Sequence, residues 1–122
     1  MKKLILFLAL FVCLSSSADS QLIYYQWNPV SSPVTNNLNS IYNNTSTYII
    51  AGNDGKILYR VVPQLNWNVA VSGTSSNLLS IYGPSNIYSA GASGTVLKST
   101  DNGVNWSTIA FPVTNNINSV SS

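Results

Sequence analysis

Three stretches of the chain line up at nearly constant spacing. Residues 27–40 read WNPVSSPVTNNLNS, residues 67–80 read WNVAVSGTSSNLLS and residues 106–119 read WSTIAFPVTNNINS. The tryptophans fall at 27, 67 and 106, in steps of 40 and 39. The octets PVTNNLNS and PVTNNINS differ only at Leu38 against Ile117. A second matched pair lies between them, YIIAGNDGKIL at 48–58 and IYSAGASGTVL at 87–97. A period of about 40 residues points to a stacked or radial repeat architecture, because each unit is too small to bury its own apolar faces and must cover them with a neighbour.

Within the middle unit, four short segments read as strands, roughly 67–71, 78–82, 86–90 and 95–99. Each is rich in β-branched and aromatic residues and is bounded by Gly, Asn, Ser or Pro. Apolar and polar residues alternate only in part, as expected of strands covered on both faces. Outside the N-terminal segment no window carries a helical i, i+3, i+4, i+7 stripe. Gly52 and Gly55 flank Asn53-Asp54, and Gly91 and Gly94 flank Ala92-Ser93. With strands on either side, these read as tight hairpin turns that need positive φ. A phosphate-binding loop would want a following helix, and the residues that follow, KILY and TVLK, are strand-like. Four short strands per 40 residues is the dimension of one propeller blade. The expected fold is therefore all-β: a partial β-propeller of about two and a half blades, each of four short antiparallel strands. The units lie near 27–66, 67–105 and 106–122, and the third breaks off as its second strand begins. The region is therefore expected to be a segment of a larger propeller, with self-association through its open strand edges.

The chain opens on Lys2 and Lys3, an apolar run over 4–14, and then small and polar residues to Ser20. This is the layout of a secretory signal peptide, with a helical apolar centre and cleavage expected after Ala18 or Ser20. The run is shorter than the roughly 20 residues of a membrane span. Cys13, the single cysteine, has Val12 before it, which argues against a lipoprotein cut at this position. The expected product begins near Gln21 and is secreted, periplasmic or held at the cell surface, with the signal as its one membrane contact.

Beyond the signal, charge is sparse. Lys56, Arg60 and Lys98 stand against Asp54 and Asp101, and the chain has no His and no Glu. Nothing here makes a basic footprint for nucleic acid, and no His/Cys cluster or carboxylate run offers a metal site. No cofactor is expected.

The stretch KSTDNGVNW, 98–106, places Ser99, Asp101, Gly103 and Trp106 in a fixed pattern. An Asp at a turn start can accept hydrogen bonds from backbone N–H groups a few residues on, and Asn-Gly tolerates left-handed backbone. The pattern resembles an Asp box, the S-x-D-x-G-x-x-W hairpin of sialidases, sortilin-like receptors and related propellers. The whole unit resembles the repeats of photosystem II stability/assembly factor-like proteins, in the broad WD40/YVTN-like shape. Leu79-Ser80-Ile81, the run AGASGTVL at 90–97 and DNGVNW at 101–106 occupy the places of the family's repeat signature over roughly 25–122. The resemblance implies a propeller in which Ser99, Asp101, Gly103 and Trp106 are structural. The first unit departs from it: Arg60 stands for the Ser and Val62 for the Asp, so that hairpin must close without its acidic fastener.

Two function classes follow. In a glycosidase two carboxylates must flank the bond, yet Asp54 and Asp101 both sit in turn slots, and a single Arg cannot supply a substrate-binding arginine cluster. The alternative that the chain is part or remnant of a sialidase-like hydrolase therefore lacks its catalytic residues here, and no enzymatic activity is expected. A binding or scaffold module is favoured, with a protein or glycan as partner. Tyr24, Tyr25, Tyr42, Tyr82 and Tyr88 are the candidate contact aromatics, although most are expected to pack between sheets. Sequons at Asn43, Asn44 and Asn105 matter only in a host that glycosylates.

Overall fold

Strand-forming segments and turn residues alternate along the chain, and the backbone follows them. The computed structural model describes Gln26 and residues 28–121. Eight strands form in chain order: β1 (Leu38–Asn43), β2 (Thr47–Gly52), β3 (Ile57–Val61), β4 (Asn68–Ala70), β5 (Leu78–Tyr82), β6 (Ile87–Gly91), β7 (Val96–Ser99) and β8 (Ser107–Thr108). They make two four-stranded antiparallel meanders, β1-β2-β3-β4 and β5-β6-β7-β8. The sheets are cut one strand out of phase with the sequence period: the strands after Trp67 and Trp106 each close the sheet before them. The two sheets do not close into a ring among the described residues. The expected signal helix, Cys13, Tyr24, Tyr25 and Trp27 lie outside the described residues.

The two sheets repeat each other in detail. In both, the first pairing slips by one residue, between Leu38 and Ser40 and between Leu78 and Ser80. Both second hairpins turn through a single 3-10 turn, Asn53–Gly55 and Ala92–Gly94. Positive φ falls on Asp54 and Gly55, and on Ser93 and Gly94. It does not fall on Gly52 or Gly91, which are glycine for a different reason. A Cβ there would lie 2.4 Å from the Asn37 carbonyl oxygen or 2.0 Å from that of Asn77, so only glycine lets the chain pass.

One apolar cluster joins the two sheets. Ile49, Ala51, Ile57 and Ala70 from the first pack with Leu78, Ile81, Ile87 and Leu97 from the second, and Tyr42, Tyr59 and Trp106 close against them. Polar contacts along the seam recur at the sequence period. The Ser40 hydroxyl accepts a hydrogen bond from the Ile81 N–H (3.2 Å), and the Ser80 hydroxyl accepts one from the Val120 N–H (3.0 Å). The Asn77 side-chain oxygen accepts from the Asp54 N–H (3.0 Å), as that of Asn116 does from the Ser93 N–H (3.2 Å). Gly55 donates to the Ser76 carbonyl (2.9 Å) and Gly94 to that of Asn115 (2.8 Å). Residues 109–121 form no strand among the described residues, yet they dock on the second sheet as the second sheet docks on the first.

Candidate functional site

The hairpin between β7 and β8 holds the sequence-predicted constellation. Ser99 is buried at the end of β7. Its hydroxyl donates to the Asp101 carboxylate (2.9 Å) and accepts from the Gly103 N–H (2.9 Å). The same carboxylate oxygen, Oδ1, accepts from the Asn105 N–H (2.8 Å), and Oδ2 accepts from the Asn105 side-chain amide (2.7 Å). The Trp106 indole N–H donates to the Gly103 carbonyl (2.9 Å). Asn102 and Gly103 take φ of 57° and 85°. Both oxygens of Asp101 are thus turned into their own hairpin.

Hydrogen bonds to the charged form hold the Asp101 carboxyl below its ordinary 3.8. The backbone N–H of Asn105 contributes most, helped by the side chains of Asn105 and Ser99, and partial burial offsets some of the effect. A carboxyl lowered by folding adds stability that is present in full above its unfolded value and is lost as pH falls through the folded one. Asp101→Asn is therefore expected to flatten the fall in urea midpoint between pH 6 and pH values below 3.8, relative to the parent chain. At neutral pH, Asp101→Ala is expected to cost about 1–2 kcal/mol, the scale of losing a capping acceptor.

Sequence reasoning gave no role to one member of this hairpin, Asn105, and did not foresee what Gly103 packs against. Asn105 engages both oxygens of Asp101; the repeat marks the position only as the Asn before a Trp, shared with Asn66. Gly103 backs onto the first sheet: a Cβ there would stand 2.7 Å from the terminal methyl of Ile49, a fully buried side chain. Asn44 also reaches the Asn102 side chain (3.3 Å). The hairpin is part of the seam as well as of its own sheet.

The first sheet carries a different set of residues at the matching place. Tyr48 pairs with Arg60 across β2 and β3 as Ile87 pairs with Ser99 across β6 and β7. Trp67 follows one step along, as Trp106 does. In the second sheet Ile87 and Ser99 are each 1% exposed and the row is sealed. In the first, Tyr48, Arg60 and Trp67 are all half-buried. The guanidinium carbon of Arg60 lies 4.9 Å from the centre of the Tyr48 ring and 5.0 Å from that of Trp67. Its Nε is buried with no hydrogen-bond partner, and no carboxylate of the described residues pairs with it. An open groove of about 700 Å³ runs past this row, lined by Asn28, Ser31, Ser32, Asn66, Arg60 and Trp67 among others. With Ser and Asp gone from this hairpin, its turn closes through the Gln64 N–H to the Val61 carbonyl (2.8 Å).

Of the candidate contact tyrosines, Tyr42 and Tyr82 meet edge to face at 5.5 Å across the seam. Tyr88 lies 5.8 Å beneath the Lys98 ammonium. Among the described residues no group of three His, Cys, Asp or Glu side chains is placed to hold a metal ion, and no helix is long and apolar enough to cross a membrane. No protein-family model, curated protein or solved structure matches the chain.

Proposed function

We propose that the chain is a non-catalytic segment of a secreted β-propeller of the Asp-box repeat kind, serving as a binding or scaffold module. The observation that carries this reading is the recurrence of one set of seam contacts at one repeat spacing. Sheet one meets sheet two through Ser40, Asn77 and Gly55, and sheet two meets the next unit through Ser80, Asn116 and Gly94. Each four-stranded sheet is then a blade, and a ring of such blades takes about four to eight. The outer face of the first blade fits this. Leu38 is 40% exposed and Ile41 62%, while their counterparts Leu78 and Ile81 are 0% and 4% exposed beneath the neighbouring sheet.

Further units, from the same chain or from another copy, would cover that face. Residues 21–122 alone are expected to self-associate through these edges or to melt at low temperature with a concentration-dependent midpoint. Size-exclusion chromatography with light scattering, paired with thermal melts over a concentration series, reads this directly. A monodisperse monomer with a sharp, concentration-independent transition would overturn the reading.

A further inference from the structure

We propose that the groove beside Tyr48, Arg60 and Trp67 is a binding site for a ligand carrying a single carboxylate. The proposal rests on the binding-module reading above and gives it a ligand class. Arg60 is the chain's single arginine. Guanidinium presents planar N–H donors in a fork that matches a carboxylate edge, and among the described residues nothing accepts from it. The rings on either side hold its position and leave it weakly hydrated, so little side-chain freedom remains to be lost on binding.

The groove suits the charge of such a ligand. No acidic residue lines it, so an arriving anion meets no repulsion there. With one cation in the site, a monoanion is matched and a phosphate dianion is not. Asn28, Ser31, Ser32 and Asn66 offer neutral donors and acceptors for the rest of the ligand, and Trp67 offers a flat apolar face. The second blade cannot make this site, because Ile87 and Ser99 fill its matching row and are sealed. The loss of Ser and Asp from the first hairpin thus coincides with the opening of a site.

The carboxylate can come from an acidic sugar or from a peptide end, and two probes separate these sources. The full chain, labelled with ¹⁵N, gives one arginine Nε–H resonance and a Trp67 indole resonance. Sodium glucuronate, N-acetylalaninate and neutral glucose are titrated against it. The expected result is a saturable shift of the Arg60 signal with glucuronate, with N-acetylalaninate or with both, and none with glucose. Arg60→Gln is expected to weaken the Trp67 response at least about tenfold, whereas Lys98→Gln leaves it unchanged. Arg60→Met keeps an unbranched apolar stem between the two rings, so it is expected to fold with the Trp67 indole resonance retained and to lose the carboxylate response, and the test does not hang on the folding of Arg60→Gln. No saturable shift in the folded parent chain, an equal shift with glucose, or a full response in Arg60→Met would each overturn the site. These readouts are independent of the light-scattering result, so the site and the propeller reading can fail separately.

Discussion

Gly55→Ala is expected to break the seam between the two sheets. Gly55 sits at φ 65°, and a Cβ there would lie 1.9 Å from the Thr74 carbonyl oxygen. Neither problem has a cheap escape. The left-handed backbone is strained for alanine by about 1–2 kcal/mol, and the obstacle is main chain, which cannot rotate aside. Relief requires residues 74–76 to move away, and that breaks the hydrogen bond from Gly55 to Ser76 and the one from Asp54 to the Asn77 side chain. The sum is expected to reach about 3–5 kcal/mol, at the upper end of what single substitutions do. Urea titration followed by the near-ultraviolet signal checks it. Gly73→Ala is the control: it too has positive φ, at 74°, but nothing lies within 4 Å of its added Cβ, so it isolates the strain from the collision.

The second large effect comes from a pair of equivalent leucines. Leu78→Ala removes a side chain that is fully buried in the cluster joining the sheets, and a cost of about 2–5 kcal/mol is expected. Leu38→Ala makes the same chemical change at the matching position of the first sheet, where the side chain is 40% exposed. Its cost in the isolated chain is expected to be below about 1 kcal/mol. Chemical denaturation of both variants at low concentration gives the difference. At concentrations that drive self-association the gap should narrow, because association would bury Leu38 as Leu78 is buried.

Much of this fold was legible in the sequence because the repeat supplied it twice. The strand segments expected at 78–82, 86–90 and 95–99 agree with β5, β6 and β7 to within a residue at each end, since Gly, Pro and Asn mark their limits. The turns were placed correctly but their glycines were misread in part. Positive φ belongs to Asp54 and Ser93 as well as to Gly55 and Gly94, while Gly52 and Gly91 answer to a carbonyl that approaches from a residue 14 or 15 positions earlier. A contact of that kind leaves no local signature. The phase of the sheets was hidden for a related reason: the tryptophans mark the period, but which strands pair is decided by the hairpins just before them, which close through Gln64 and Val61 in one sheet and through Ser99 and Asp101 in the other. The aromatic row around Arg60 was visible only as a departure from the pattern. Its meaning depends on cross-strand neighbours from β2 and the residue before β4, which are 12 and 7 positions away in sequence.

The seam has a consequence for how such a chain can change in length. Each unit carries both halves of the joint: a turn whose N–H groups point forward, and an Asn and Ser that receive the N–H groups of its neighbours. Asn77 does both at once, its backbone carbonyl closing the Ala92 turn of its own unit while its side chain takes the Asp54 N–H of the unit before. A copy of the unit inserted beside its parent therefore arrives with matching joints on both sides. Misaligned recombination between the octets at 33–40 and 112–119 would add or remove whole units and leave every remaining joint intact, so this architecture can grow or shrink by gene duplication without having to evolve a new interface.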